Sequence, residues 1–336
     1  MKICVGLKDS IRMEEYIKAG AEEFYCGVVD SEWTNRFGYV TGINRRPWPS
    51  SNMSSFEELK RVVQKAHSFN CKVYFTINEH CYTNEQLKLI DHYVKKALET
   101  GIDSIIFSDP GLIKYFYDKY QCCVHLSTGG SVFNQWSAEF FLDKLKVSRI
   151  IMPREVTLNE IRKICREVEN VEYEVFVLNE GCINIDGFCN HLHGIHYIDN
   201  KGQIKNGDYS VGCMLKYDLL EGQINGKSID KSSNITEQLY DASSNCGSCG
   251  ACAIYYFKKF GISSLKLVGR STDKDKIIHD IKFIKYAIEL SNEVANFQEY
   301  SQKIREYKGD RTMEKCIKMC YYPEILAQLE LERSGV

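Results

Sequence analysis

The sequence predicts an α/β protein that folds as a (β/α)8 barrel of the TIM type. Short apolar runs alternate with amphipathic helical runs along most of the chain, and this alternation yields eight candidate strands. Strands that are apolar throughout and separated by helices are typical of parallel sheets covered on both faces. We also expect a cysteine-rich insertion after the seventh strand and a helical segment at the C-terminal end.

The predicted strands are runs rich in β-branched and aromatic residues, each bounded by polar residues or glycine. In chain order they are Lys2–Gly6, Glu23–Gly27, Lys72–Thr76, Ser104–Phe107, Cys123–Leu126, Arg149–Ile151, Glu172–Val177 and Leu265–Val268. Parallel strands need crossover connections, and the intervening segments have the length and periodicity of helices.

The predicted helices show a periodic apolar face, and most end near glycine or a polar residue. They are Met13–Ala19, a helix ending near Ser68, Asn84–Thr100, Gly111–Tyr120, Gln135–Leu145, a helix ending near Glu167, and Lys274–Phe297. Capping boxes are expected at Ser54–Glu58 and Thr157–Glu160, where a hydroxyl and a glutamate satisfy backbone amides at the start of a helix. Residues 31–53, with two tryptophans, two prolines and two glycines, are predicted to form a long loop.

This order divides the chain into three predicted parts. Residues 1–177 together with 262–300 form the barrel, residues 178–261 form the cysteine-rich insertion, and residues 301–336 form a helical extension. A chain of 336 residues is long enough to bury a large core.

Composition excludes several classes of protein. Apolar residues make up 44% of the chain and charged residues 26%, which is ordinary for a globular protein. The formal net charge of −2 gives no support for a nucleic-acid partner, although a local basic patch is compatible with it. The first residues lack the apolar core of a signal peptide, and no apolar run is long enough to span a bilayer. We therefore expect a cytoplasmic protein with no membrane partner.

Fifteen cysteines, an odd number in a chain without an export signal, argue against a disulfide framework. Six of them lie in the insertion: Cys182, Cys189, Cys213, Cys246, Cys249 and Cys252. From spacing alone, structural zinc and an iron–sulfur cluster fit these thiols equally well. Cys316 and Cys320 have two interpretations: they complete a second site with Cys246, Cys249 or Cys252, or they pack into the core from one helical face.

The active site of such a barrel lies at the C-terminal ends of the strands, and the residues that follow the predicted strands are polar. We expect Arg154 and Arg270 to bind a carboxylate or phosphate through paired N–H donors. Asn78 is a further candidate for substrate binding. His125, on a strand, is either an inward-facing proton donor or a buried core histidine. The candidates for proton transfer, or for orienting the arginines, are Asp109, Glu155 and Glu180.

Several short blocks, in order along the chain, resemble the collagenase-like peptidase family U-32. They are residues 20–27, 73–78, 109–111, 125–128, 152–155, 174–177 and 264–270. The resemblance implies a barrel-like fold and, in several members, an iron–sulfur cluster. It also implies two kinds of activity, because the family is named for proteolysis whereas members act in oxygen-independent hydroxylation of a quinone precursor or of RNA bases.

The resemblance also implies a ligand set for a 4Fe-4S cluster, with zinc as the alternative. Cys182, Cys189 and Cys213 occupy the first three ligand positions of the cluster-bearing branch. The fourth position falls on Cys249 or Cys252, with Cys246 as a third choice. The chain departs from the family at Asn179-Glu180-Gly181, where many members have a His-Gly-Ala type of turn. It also lacks the large extension of the RNA-modifying members, which weakens RNA as the substrate.

We therefore expect an iron–sulfur enzyme that carries out oxygen-independent hydroxylation, or a related redox modification, of a small molecule, an RNA base or a peptide. A peptidase is one alternative, but the sequence has no nucleophile elbow and no zinc-protease helix. A non-catalytic, cluster-carrying subunit with a paralogous heterodimer partner is another. His191, His193 and His196 could bind a divalent metal, but a solvated hairpin at residues 197–204 explains them better.

Overall fold

The computed structural model describes residues 1–38, 42–46, 48–182, 184–189, 248–309, 316 and 320–326, and the backbone of residues 223–224 and 227–228. The predicted hairpin at residues 197–204, the three histidines before it, Cys213 and Cys246 lie outside the described residues.

The centre of the molecule is a closed barrel of parallel strands, which confirms the predicted fold class. The barrel strands are β1 (Lys2–Gly6), β2 (Glu23–Cys26), β3 (Lys72–Ile77), β4 (Ser104–Phe107), β5 (Val124–Leu126), β6 (Arg149–Ile151), β7 (Glu172–Leu178) and β10 (Ser264–Leu267). Their order around the barrel is β1-β10-β7-β6-β5-β4-β3-β2. A two-stranded antiparallel sheet lies in the insertion and consists of β8 (Gln223–Ile224) and β9 (Lys227–Ser228).

Helices cover the outside of the barrel. Those described are α1 (Met13–Ala19), α2 (Ser31–Phe37), α3 (Phe56–Ser68), α4 (Asn84–Glu99), α5 (Pro110–Tyr120), α6 (Gln135–Leu145), α7 (Leu158–Glu167), α8 (Ile254–Phe260), α9 (Lys274–Glu293) and α10 (Phe297–Tyr307). Thr157 and Glu160 form the expected capping box, and at the other predicted box the Ser55 hydroxyl accepts from the amide of Glu58. No described helix combines the length and apolar character needed to cross a bilayer.

Two predicted segments are wrong. The prediction for residues 31–53 omitted a helix, and the prediction for Lys274–Phe297 omitted a break between two helices. Within the predicted loop 31–53, α2 forms because Asp30 caps it and Trp33, only 1% exposed, packs into the core. The predicted helix Lys274–Phe297 is two helices. Val294 adopts an extended conformation after α9, and Asn296 accepts from the Glu299 amide to start α10.

A network of buried charges fills the N-terminal half of the barrel interior. The Arg149 guanidinium donates to Glu23 at 2.7 and 2.8 Å and to Glu174 at 3.0 Å. It also donates to Glu172, and Lys266 donates to Glu174 at 2.5 Å. Burial alone would raise the pKa values of Glu23 and Glu174, but Arg149 lowers the pKa of Glu23, and Lys266 with Arg149 lowers that of Glu174. The network therefore keeps charged carboxylates inside the barrel.

The segment after α10 folds back onto the barrel beside β7. The Tyr322 hydroxyl donates to the carbonyl of Phe176 at 2.9 Å, and the Glu324 carboxylate accepts from the Leu158 amide at 2.6 Å. The Tyr321 hydroxyl donates to the carbonyl of Asn179. These contacts place residues 320–326 next to the end of β7, where the cysteine-rich insertion begins.

Candidate functional site

Arg154 and Asp186 form the central ion pair at the C-terminal mouth of the barrel. The Arg154 Nη1 donates to both carboxylate oxygens of Asp186, at 2.9 and 2.8 Å, and its backbone amide donates to the same group at 3.2 Å. Arg45 Nη1 lies 3.6 Å from Oδ1 of this carboxylate. The guanidinium of Arg154 also stacks 4.0 Å from the ring centroid of Phe176. Sequence reasoning found Arg154 but missed Asp186, which is almost fully buried.

Glu180 pairs with Arg46 across the mouth, and the backbone that presents it is strained. Asn179 and Glu180 both have positive φ, 66° and 38°, which non-glycine residues rarely adopt. The Asn179 side chain is held by a 2.9 Å hydrogen bond to Asp280. Burial would raise the pKa of Glu180, but Arg46 outweighs it and lowers that pKa. Backbone strain of this kind persists where surrounding contacts impose it and is frequent at functional sites.

Arg270 is a buried cation whose hydrogen bonds go to neutral groups. Its guanidinium donates to Asn44 at 2.8 Å, to Asn52 at 3.0 Å and to Thr76 at 3.4 Å. Burial, together with the nearby Arg46, lowers its pKa to about 10. A buried charge without a carboxylate in its hydrogen-bonding set is costly, and an anionic ligand would offset that cost.

The remaining predicted residues are divided between the mouth and other places. Asn78 lies at the mouth and donates to the Ser127 hydroxyl at 3.0 Å. Glu155 is exposed beside Asp186, and desolvation followed by the Asp186 charge raises its pKa. Asp109 instead caps α5, accepting from the Leu112 amide at 2.9 Å.

His125 lies inside the barrel, one layer below the mouth. Its ring packs edge-to-face on Tyr74 with centroids 4.4 Å apart, and it pairs in register with Arg149. Burial, and then the Arg149 charge, lower its pKa well below the ordinary value. Within the described residues its buried Nδ1 has no hydrogen-bond partner, so both interpretations of His125 stay predictions.

The loop between Cys182 and Cys189 belongs to the mouth, because Asp186 anchors it. Gly187 has a φ of 86°, and a Cβ at this position would lie 1.9 Å from the Ser131 hydroxyl, so the loop needs glycine for its close approach. Cys182 is exposed, and its sulfur lies close enough to Arg154 for electrostatic interaction. Two soft thiol donors on one anchored loop beside a cation fit an iron–sulfur ligand set.

The other two predicted ligands within the described residues lie in a different setting. Cys249 and Cys252 line a cavity together with Cys316 and Cys320. The segment that carries Cys249 pairs with the end of β7 at Leu178. That Cys249 or Cys252 binds the same cluster as Cys182 and Cys189 therefore stays a prediction.

A family model described as peptidase family U32 matches residues 9–324. The chain belongs to peptidase family U32. A 201-residue region, 59% of the chain, is 31% identical to the tRNA hydroxylation protein P of Helicobacter pylori and spans 43% of that protein. A 174-residue region, 52% of the chain, is 32% identical to the tRNA hydroxylation protein P of Escherichia coli and spans 37% of it.

An archaeal relative is matched over more of the chain. The uncharacterized protease MJ0090 of Methanocaldococcus jannaschii is 27% identical over 284 residues, which span 81% of the chain and 61% of that protein. Among solved structures, the U32 peptidase Mk0906 superposes with a TM-score of 0.41 at 17% identity, over 53% of this chain and 69% of that one. The matched regions thus span less than two thirds of each of the three named sequence relatives.

His80, in the loop after β3, makes the stability of the mouth depend on pH. Burial, and then the Arg45 charge, lower its pKa from 6.5 to about 4. The unfolded chain therefore takes up this proton before the folded protein does, and the folded state loses stability as pH falls from about 6.5 to about 4. We expect His80→Gln to reduce that slope by at most about 1.4 kcal/mol per pH unit.

The measurement is the free energy of unfolding in urea at a series of pH values between these limits. His279→Gln is the matched control, because its side chain is 69% exposed. If His80→Gln has the same dependence of unfolding free energy on pH as the wild type, then His80 has the same pKa in the folded and unfolded states.

Proposed function

We propose that this protein carries out oxygen-independent hydroxylation of an RNA base, with a 4Fe-4S cluster held by Cys182, Cys189, Cys213 and one cysteine of the group Cys246, Cys249 and Cys252. The relatives named for tRNA hydroxylation support the reaction class. The anchored thiol loop beside Arg154 supports the cluster. When bound, such a cluster supplies one-electron transfer and Lewis acidity.

The observation that carries the proposal is Arg270. Its buried charge is hydrogen-bonded to neutral amides and a hydroxyl, so an anionic group of a substrate would complete its set of partners. Arg154 adds an unused donor: within the described part of the chain, its buried Nε has no hydrogen-bond partner. Both groups fit a phosphate or a base carbonyl.

Four guanidinium groups gather at the mouth. Arg45, Arg46, Arg154 and Arg270 lie there among the carboxyl groups of Glu79, Glu155, Glu180 and Asp186. The net charge of the whole chain is −2, so the arginines concentrate cationic donors locally. Grouped guanidinium donors suit the phosphates of a substrate such as RNA.

The side chains of the mouth have distinct roles in this proposal. Arg270 binds the anionic group, Asp186 orients Arg154, and Glu180 both orients Arg46 and, being ionised, can accept a proton. Glu155 is exposed with a raised pKa and can exchange a proton with solvent. With water as the oxygen source, R–H and H2O give R–OH, two protons and two electrons, and two equivalents of an oxidised one-electron carrier protein accept the electrons.

The experiment uses protein purified without oxygen and incubated with unmodified tRNA and an oxidised one-electron carrier. The expected product is a nucleoside that gains the mass of one oxygen atom, measured by liquid chromatography and mass spectrometry. Water labelled with heavy oxygen reports the oxygen source. If the protein alone, with its cluster intact, forms no such nucleoside, the assay is repeated with a paralogue added. Turnover that appears only with the paralogue would favour the interpretation as a non-catalytic subunit.

We expect Arg270→Gln to raise the KM for tRNA by about 10- to 100-fold. Charge-assisted hydrogen bonds contribute about 1.5–3 kcal/mol, and each 1.4 kcal/mol is tenfold. Glutamine keeps an amide that can contact Asn44 and Asn52, and iron content should not change. Arg61→Gln, on the exposed face of α3, is the control. An unchanged KM with intact iron would remove Arg270 from the substrate site.

A peptidase remains a second candidate because the relative named as a protease is matched over 81% of the chain. Incubation of the same oxygen-free preparation with gelatin and a peptide library separates the two functions. Cleavage that persists in Cys182→Ala and Cys189→Ala protein would favour the peptidase.

A further inference from the structure

Four cysteines from distant parts of the chain line one cavity beside β7. The cavity has a volume of about 50 Å³, whereas a single water molecule needs only ~10–15 Å³. Its lining is Cys249, Gly250, Cys252, Ala253, Ile304, Arg305, Lys308, Cys316, Cys320, Ile325 and Leu326. Every polar side chain in this lining is a thiol or a cation.

The backbone holds these thiols in place through β-type contacts. Gly250 donates to the carbonyl of Val177 at 2.7 Å, which fixes the Cys249 segment against β7. Tyr321 donates to the carbonyl of Cys249 at 3.0 Å, and Cys249 and Cys320 form a parallel bridge. A Cβ on Gly250 would lie 2.7 Å from the ring of Tyr322, so the approach of the C-terminal segment requires glycine there.

The four thiols are close enough to affect each other's ionisation. Burial, with smaller contributions from Cys249 and Cys316, raises the pKa of Cys320 to about 12. Burial also raises the pKa of Cys252, and the other three cysteines add to the effect. A bound metal or cluster displaces the thiol protons and coordinates the thiolates.

The spacing of the sulfur atoms favours a cluster over a single ion. A tetrahedral zinc site, with Zn–S bonds of about 2.3 Å, brings its four sulfur atoms to within about 3.8 Å of one another. Within the described residues, no three of these four sulfur atoms lie within 4.8 Å of one another. In a four-iron cluster each thiolate binds a different iron, so the sulfur atoms stand further apart.

Two cations balance the charge that such a site would carry. Lys308 Nζ lies 3.6 Å from the Cys249 sulfur, and the Arg305 charge favours the thiolate of Cys252. Both cations come from the C-terminal part of α10 and the residue after it. Four thiolates around an iron–sulfur core leave net negative charge, which nearby cations stabilise.

We propose that Cys249, Cys252, Cys316 and Cys320 bind a second 4Fe-4S cluster, separate from the one proposed at the barrel mouth. It ties Cys316 and residues 320–326 to β7. The ligand spacing is C-x2-C on the insertion and C-x3-C near the C-terminal end. Cys249 and Cys252 are then unavailable to the mouth, and by elimination Cys246 becomes the fourth ligand there.

The test is the iron and acid-labile sulfide content of protein purified without oxygen, together with its visible absorption. We expect about eight iron per chain in the wild type and about four in each of two variants, Cys316→Ser/Cys320→Ser and Cys182→Ser/Cys189→Ser. Cys123→Ser is the control, because this exposed thiol lies at the opposite end of the barrel. Circular dichroism reports whether each variant is folded.

The outcomes separate this inference from the proposed function. If the wild type holds about four iron per chain and only Cys316→Ser/Cys320→Ser loses them, the second site is supported and the cluster proposed at the mouth is rejected. Iron that only Cys182→Ser/Cys189→Ser removes would overturn the second site. Loss of all iron in both variants would mean that the cysteines share one site, and this would also overturn the second site. Zinc bound at the cavity without sulfide would overturn it as well.

A measurement on wild-type protein covers the case in which the variants do not fold. Iodoacetamide labelling, mapped by mass spectrometry, is compared before and after iron is removed with a chelator. Protection of the four cavity thiols that disappears with the iron supports the cluster. Labelling that is the same in both states, whether high or low, would overturn it, because burial alone would then set the reactivity.

Discussion

Replacement of Arg149 by methionine should destabilise the protein by about 3–5 kcal/mol, since removing one partner of a buried ion pair leaves an uncompensated charge. Arg149 is 2% exposed and hydrogen-bonds to both Glu23 and Glu174, which are wholly buried. Methionine has a similar length, so the loss is mainly of charge and hydrogen bonds. The measurement is the free energy of unfolding in urea at neutral pH.

The pH dependence distinguishes this mechanism from a packing defect. In the wild type the carboxyl pKa values of Glu23 and Glu174 are lowered, so their contribution is present above about pH 4.5 and is lost as pH falls through the folded values. In the variant, Glu174 keeps Lys266 as its partner, but Glu23 loses the guanidinium that offsets its burial, so its pKa rises. The penalty of burying the Glu23 charge disappears as pH falls below that raised pKa. The difference between the two proteins should therefore shrink in acid.

Arg166→Met is the matched control, because Arg166 is 71% exposed and pairs only with its neighbour Glu167 among the described contacts. Its loss should change stability by less than about 1 kcal/mol. A deficit in Arg149→Met that stays constant from pH 7 to pH 4 would assign the effect to packing.

The fold could be predicted because a parallel barrel is encoded locally. Each strand is buried on both faces and is therefore a short apolar run, and each helix carries its own periodicity and caps. The errors occurred where tertiary contacts overrode the local pattern. Trp33 stabilises α2 by packing against Tyr93 and Phe37. The long predicted helix is interrupted at Val294, which is extended, and Asn296 caps the helix that follows.

The site could be predicted only in part. Arg154, Glu180 and Arg270 were found because a barrel places the residues after its strands at one mouth. Asp186 was missed because it lies inside the cysteine loop, where spacing drew attention to the thiols alone. A signal was present: a single carboxylate between Cys182 and Cys189, with glycine directly after it, suggests an anchored turn.

The cavity of four cysteines shows a different limit of sequence reasoning. Cys252 and Cys316 are far apart in the chain, and nothing in their local patterns reports that residues 320–326 return to β7. The deciding contacts are backbone hydrogen bonds, such as that from Tyr321 to Cys249, which any residue type could make. Sequence alone therefore left metal ligation and core packing as equal alternatives for Cys316 and Cys320.

Asp186 joins Arg154 and Arg45 to the loop from Cys182 to Cys189. On the proposed function, we expect Asp186→Asn to lower the affinity for the proposed cluster at the mouth, or the proposed hydroxylation activity, by about 10- to 100-fold. Groups that orient ligands from the outer shell typically have effects of this size. Asparagine fills the same volume but leaves Arg154 and Arg45 without their shared carboxylate, so two cations face each other beside Cys182. The loop from Cys182 to Cys189 should then lose its anchor.

A double-mutant cycle with Arg154→Gln measures the coupling directly. If Asp186 acts by holding Arg154, the double variant should lose little more iron affinity than either single variant, because the pair functions as one unit. Asp91→Asn, which breaks an exposed pair with Lys119 on the outer helices, should leave iron binding unchanged. Additive losses in the cycle would mean that Asp186 and Arg154 act separately, and the ion pair would then not be what positions the thiol loop.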